Sequence, residues 1–450
     1  MRRFPMVVLF LVAAVPATGA SLSSGPLTAD EAVKIALQHN TRIVQAEAGR
    51  YTARSDMWSA YSGVLPRLSA DVSRSGSFTR ESRGSQAFGT NVFPSTTFDA
   101  EGYSTTQSVT GTWNLINLSS WTNFSAARLG QKSAQYSLIA ARSAVELSTR
   151  QQFYQVVQAM HLARVNAQAL RLARDSERRV RAMYEVGSVS KSDLLKAQVA
   201  TSQAQLDSLT SNHNVTGQRI LLAQQLGLPE MQLAEVDSSL TFTAQTVDAA
   251  SVLADAHAHR PDLRAAEANA RASELDLRGA RWARLPYVSL SGSWSPDSRR
   301  SSKFFHNATT DTATSSASET KGAYNGSVAL NFDFFDGLAT DARIAAARGQ
   351  VMNARETRDA LLRNLEGEVH QAVLGYQEAA ERIDLATRTV ESASENQNLV
   401  QQKYNVGSAT ILDLIDSQVQ LQRAQSNLVS AKAAIRIAEA QLDQVRGRSQ

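Results

Sequence analysis

The chain has 450 residues, with 46 Lys and Arg against 42 Asp and Glu, a formal charge of only +4. That near-balance argues against nucleic acid as a partner, which demands a concentrated basic face. Cysteine is absent, which excludes disulfides, a thiolate metal site and a lipid-modified N-terminal cysteine, so packing or assembly must hold the fold together.

Residues 1–20 read as a secretory signal peptide. Arg2 and Arg3 supply the charge, Met6 to Val15 a short apolar run ended by Pro16, and Ala17-Thr18-Gly19-Ala20 the small residues for cleavage after Ala20. The run falls short of the ~20 apolar residues that a spanning helix needs. After it no apolar run of 18 or more residues occurs. Any integral membrane part of the mature chain must then be built from β-strands.

The remainder is one unit written twice. Leu65-Pro66 recurs as Leu285-Pro286, 220 residues on, and Glu47 recurs as Glu267 in the same register. Ala126-Ala127-Arg128 returns as Ala346-Ala347-Arg348, and Tyr184-Glu185-Val186-Gly187-Ser188 as Tyr404-Asn405-Val406-Gly407-Ser408. Asp193 matches Asp413, and Gln198-Val199 matches Gln418-Val419. Landmarks held in one register mark a structural duplication. The expected division is a signal peptide over 1–20, a first repeat over 21–228, a linker over 229–251, a second repeat over 252–447 and a tail over 448–450.

Each unit opens with a helical pattern, about 29–63 and 252–285. It stops at Leu-Pro, where proline removes a backbone donor. An alternating stretch follows, in which Val288, Leu290, Gly292 and Trp294 interleave with serines in the second unit. Ser/Thr/Gly-rich stretches over about 75–103 and 296–322 read as loops. Alternation then returns, with Val109, Gly111, Trp113 and Leu115 in the first unit and Val328, Leu330, Phe332 and Phe334 in the second. Period two with one apolar face indicates strands. Aromatics near the ends fit an outer-membrane barrel hairpin, although a soluble amphipathic hairpin has the same period.

Long helices come next. Residues 121–184 contain no proline and would span roughly 95 Å at 1.5 Å per residue. Phe153, Val156, Met160, Ala163, Ala167 and Leu170 step by three and four. Their counterparts are Val373, Tyr376, Ala380, Ile383, Thr387 and Val390. In the last helix Leu414, Leu421, Leu428, Ile435 and Leu442 fall every seven residues, with Ala424, Ala431, Ala438 and Val445 between them. Leu alternating with Ala is a narrow, close-packing coiled-coil seam. The helices alone are equally compatible with a soluble coiled-coil protein.

Two hairpins give four strands, too few to close a barrel, and an open edge is not tolerated in lipid. The chain must then oligomerise. Two copies give eight strands and an interior filled by side chains, whereas three give twelve and leave a lumen. Helices far longer than a bilayer is thick must project into an aqueous compartment. The signal peptide makes the periplasm available.

The tandem order of helix, Leu-Pro, strand, polar stretch, strand and long helix resembles the TolC-type outer-membrane efflux proteins over about residues 28–447. The most distinctive match is Tyr-x-Val-Gly-Ser-x-Ser/Thr-x-x-Asp-Leu at Tyr184–Leu194 and Tyr404–Leu414, similar to the family's helix-turn-helix tips at the periplasmic mouth. The resemblance implies an α+β membrane protein: a trimeric β-barrel of four strands per chain, continuous with a long periplasmic α-helical coiled-coil barrel. Residues 229–251 would lie at the equator. It implies a passive duct of a tripartite efflux or type I secretion system in the outer membrane. The implied partners are two further copies, outer-membrane lipid, and a periplasmic adaptor with its inner-membrane transporter docking at the Gly187 and Gly407 turns. It also implies a periplasmic gate. Asp413 and Asp416 match aspartates that line the closed entrance, and Tyr404 with Asp193 on the neighbouring tip matches residues that tether the coils shut. An Arg that assists the tether in some relatives is replaced by Ala409. Capping is the competing role for Asp413, since Thr410-x-x-Asp413 and Ser190-x-x-Asp193 both have the form of a capping box. Asp416 is matched by Lys196 in the first repeat, so the shared fold does not require the second acid.

No nucleophile elbow, phosphate loop or HExxH is present. His257 and His259 lack a carboxylate or cysteine at supporting spacing. Neither an enzyme nor a cofactor is expected. A soluble periplasmic coiled-coil adaptor is the alternative, but it would not need aromatic-ended hairpins.

Overall fold

A computed structural model describes residues 26–83, 86–93, 96–229, 234–242, 246–307 and 312–447. The expected signal peptide, the tail over 448–450 and parts of the 229–251 linker lie outside the described residues. In chain order the elements are α1 (Ala29–His39), α2 (Thr41–Ser62), β1 (Arg67–Arg83), β2 (Gln86–Phe88), β3 (Asn91–Phe93) and β4 (Thr96–Ile116). Then come α3 (Leu118–Glu185), α4 (Lys191–Leu226), α5 (Ala249–His259), α6 (Pro261–Trp282), β5 (Tyr287–Asn307), β6 (Thr312–Asn331), α7 (Ala339–Asn405) and α8 (Ile411–Arg446). The duplication is carried into the fold: α5, α6 and α8 begin and end 220 residues after α1, α2 and α4.

Two expectations are corrected. The opening helix of each repeat is two helices. Asn40 is extended (ψ 130°) and its side-chain amide donates to the Gln225 carbonyl at 2.8 Å, so the chain turns between α1 and α2. In the second repeat Arg260 precedes Pro261 at the start of α6, and a residue before proline is pushed out of the helical region. The stretches read as loops are mostly strand. Pairing runs on from Arg67 opposite Thr112 to Arg83 opposite Thr96, and from Tyr287 opposite Asn331 to Asn307 opposite Thr312. Phe332 and Phe334 lie past the end of β6.

The chain divides into two compact units, one of residues 1–41, 144–246 and 372–442, the other of 42–143, 247–371 and 443–450. The first is helical. Leu414, Leu421, Ile435 and Leu442 of the α8 seam are buried, with Ala424, Ala431 and Ala438 between them. In α4 the equivalent seam is polar, with Ala197, Thr201, Ala204 and Ser208 buried. Polar links tie α3 to α8: Gln418 donates to Ser176 (3.0 Å), Gln422 to Asn166 (2.8 Å), Gln158 to Ser430 (3.1 Å) and Arg436 to Tyr154 (2.8 Å).

The second unit holds an antiparallel sheet in the order β1-β4-β5-β6, with the small β2–β3 ladder apart from it. Val109 lies opposite Trp294, which lies opposite Tyr324, and the last two rings stack at 6.3 Å. Trp113, Leu290 and Val328 form the next apolar row on the same face. This face has no cover: Leu68 is 77% exposed and Tyr324 80%. No helix among the described residues is long and apolar enough to cross a membrane. Beside the sheet, α2 packs on α3 through Tyr61 and Phe124 (ring centroids 4.9 Å). In turn α3 donates from the Ser133 hydroxyl to the Ala265 carbonyl of α6 at 2.9 Å. Finally α6 holds α7 through Glu274 and Arg355 (2.9 Å).

Candidate functional site

The signature residues fall in two turns of the helical unit, one joining α3 to α4 and one joining α7 to α8. Both turns have the same backbone. The Gly187 N–H donates to the Tyr184 carbonyl (2.9 Å) and the Ser188 N–H to the Met183 carbonyl (2.8 Å). The Gly407 N–H donates to the Tyr404 carbonyl (3.1 Å) and the Ser408 N–H to the Lys403 carbonyl (2.8 Å). These are Schellman closures, which need a left-handed residue just past the helix. Gly187 and Gly407 supply it, each at φ 76°. No atom lies within 4 Å of a Cβ built on either, so conformation rather than crowding selects glycine.

The next helices start from matched caps. The Ser190 hydroxyl accepts from the Asp193 N–H (3.1 Å) and donates to its carboxylate (2.7 Å). The Thr410 hydroxyl accepts from the Asp413 N–H (3.2 Å), while the Thr410 hydroxyl and N–H both donate to the Asp413 carboxylate (2.7 and 2.8 Å). The Thr410 hydroxyl, then its N–H, holds Asp413 below the usual aspartate pKa, and Ser190 does the same for Asp193. The capping role of Asp413 is therefore formed. It leaves the carboxylate exposed.

Asp416 is also exposed and accepts from Gln420 at 2.7 Å. No ion pair reaches Asp413 or Asp416 among the described residues. Asp193 differs: Lys196, which occupies the position of Asp416 in the first repeat, lies 3.5 Å from it.

The two turns of one chain meet through Tyr404. Its ring is buried with Val180, Ala197, Ile411 and Leu414, with Met183 packed against them. Its hydroxyl donates to the Met183 sulfur at 3.9 Å. Burial and then the Asp193 charge push the Tyr404 hydroxyl pKa up. Arg179 adds a second link, donating to Gln401 at 3.1 Å. Neither Met183 nor Arg179 was legible in the sequence, since a tyrosine's acceptor on another helix leaves no local pattern. Tyr184, the repeat partner of Tyr404, is 39% exposed, against 8% for Tyr404. The duplicated tips thus differ in their aromatic as well as in their charge. Elsewhere, the His259 ring nitrogen Nδ1 lies 3.1 Å from the Asp255 carbonyl oxygen.

A family model described as outer membrane efflux protein matches residues 32–228 and again 252–448. Nodulation protein T of Rhizobium leguminosarum bv. trifolii is 24% identical over 327 residues, covering 70% of this chain and 67% of that one. Outer membrane protein TolC of Vibrio cholerae serotype O1 is 21% identical over 341 residues, covering 74% of each. The CmeC outer membrane channel of Campylobacter jejuni has the same fold, with a TM-score of 0.76 at 17% identity over 93% of this chain and 85% of that one.

Proposed function

Because this chain belongs to the outer membrane efflux protein family, we propose that three copies of it form one passive duct whose entrance lies at the two helical turns. The protein is an outer-membrane efflux channel with a long periplasmic helical extension. The single observation that supports a trimer is the sheet: four strands with outer edges at β1 and β6, and an uncovered apolar face. Three copies would make twelve strands, enough to enclose a lumen. A periplasmic adaptor and an inner-membrane transporter, of an efflux or type I secretion system, would dock at the turns of Gly187 and Gly407.

At the entrance Asp413 and Asp416 of three copies would form two stacked carboxylate rings. Like charges at close range repel and attract cations, so the rings would narrow the mouth and hold cations that block flow. Tyr404, buried between the turns beside Met183 and near Asp193, would tether the coils. Reconstitution of detergent-purified protein in a planar bilayer tests the reading. A trimeric mass with discrete, low-conductance openings is expected. A monomeric mass, or protein recovered in the soluble periplasmic fraction, would overturn it.

A further inference from the structure

The internal repeat makes a contact inside one chain that its own copy cannot make. In the sheet-bearing unit α3 packs on α6. The Ser133 hydroxyl donates to the Ala265 carbonyl at 2.9 Å. A Cβ built on Gly279 would lie 3.5 Å from the Thr122 Cβ and 2.7 Å from its hydroxyl. Ala265, Ala268 and Thr122 are buried, while Ser133 and Tyr136 are half-buried.

The positions 220 residues away belong to α2 and α7, and there the same faces are bare. On α2, Gln45, Ala48 and Ser59 stand for Ala265, Ala268 and Gly279, and all three are exposed. On α7, Ala342, Asn353 and Glu356 stand for Thr122, Ser133 and Tyr136, and all three are exposed. These are the flanks that lead into β1 and out of β6, the two outer strands of the sheet.

The residue exchanges favour a matching seam. In the internal seam threonine sits over glycine. In the flanks the pair is Ala342 and Ser59, so the hydroxyl has changed sides and the bulk is shared between the two helices. A second exchange sets the chemistry. Lys132 and Arg271 border one cleft of the internal seam. Their counterparts are Met352 and Tyr51, 73% and 60% exposed. A sulfur and an aromatic ring make a favourable contact once water is excluded.

We propose that the α3–α6 contact is repeated between α7 of one copy and α2 of the next, with Ala342 over Ser59 and Met352 against Tyr51. The occupant of both bare flanks is a second copy of this chain, and the inference rests on the trimeric reading above.

Disulfide trapping tests the register, because the chain has no cysteine of its own. The internal Cβ separation of 3.5 Å falls at the short end of the disulfide range of about 3.5–4.5 Å. Mild oxidation of Ser59→Cys with Ala342→Cys should give covalent trimers that reductant dissolves, while each single variant stays monomeric on a denaturing gel. Tyr51→Cys with Met352→Cys serves as an independent second pair. Ser59→Cys with Asn353→Cys, three turns out of register, should not link. A trimeric native mass with neither expected pair linked, or linkage by the shifted pair, would overturn the seam and leave the trimer standing. A monomeric native mass would overturn the trimer itself.

Discussion

Lys196 lies 3.5 Å from Asp193, and 220 residues later the place of that cation is taken by Asp416. The first repeat therefore neutralises its own tip acid, and the second leaves two exposed carboxylates. An entrance built from both tips would carry its negative charge on the second repeat. Lys196→Ala should uncover Asp193 and lower the divalent-cation concentration that half-blocks conductance in a planar bilayer. The expected change is roughly threefold, the weight of one exposed ion pair at ~0.6 kcal/mol. An unchanged blocking concentration would show that Lys196 has no electrostatic part in the entrance.

Gly407 and Gly227 are both left-handed, at φ 76° and 72°, yet they should respond differently to alanine. At Gly407 a Cβ meets nothing within 4 Å, whereas at Gly227 it would lie 2.7 Å from the His39 carbonyl oxygen. Gly407→Ala should cost about 1 kcal/mol from conformation alone. Gly227→Ala should cost more, because backbone must also move. Denaturant midpoints compare the two, and equal losses would contradict the distinction.

Acidification should loosen the start of α8. The Asp413 pKa is lowered in the fold by the Thr410 hydroxyl and N–H. A lowered carboxylate stabilises the fold above its unfolded pKa, about 3.9, and that contribution is lost as pH falls through the lower folded value. Hydrogen exchange over residues 411–416 should therefore quicken in that acid range. Thr410→Ala should quicken it at neutral pH also, by roughly fivefold for a cap worth ~1 kcal/mol. Identical exchange in variant and parent would remove the cap from the account.

Helix ends with a local chemical cause were legible in the sequence. Leu65-Pro66 and Leu285-Pro286 stop α2 and α6, and the two Val-Gly-Ser turns give the tips together with their capping acids. The α8 seam was legible because Leu and Ala repeat every seven residues and are buried as that period requires. The break at Asn40 was not, since its cause is a carbonyl of Gln225, distant in sequence. Strand lengths were missed for another reason. Apolar alternation marks only the part of a strand with one apolar face, and backbone pairing continues through Ser and Thr where no such face is needed. The asymmetry of the site was half legible. Asp416 against Lys196 is printed in the repeat, but the burial of Tyr404 against Met183 depends on packing between helices.

The central claim is that the exposed carboxylates of the second-repeat tip close a duct, and cation block of the reconstituted channel tests it most directly. Divalent cations added on the side of the helical turns should inhibit the parent protein. Asp413→Ala with Asp416→Ala should lose that inhibition and conduct more, while the trimer persists. Block of the double variant as strong as that of the parent would contradict the carboxylate-ring mechanism.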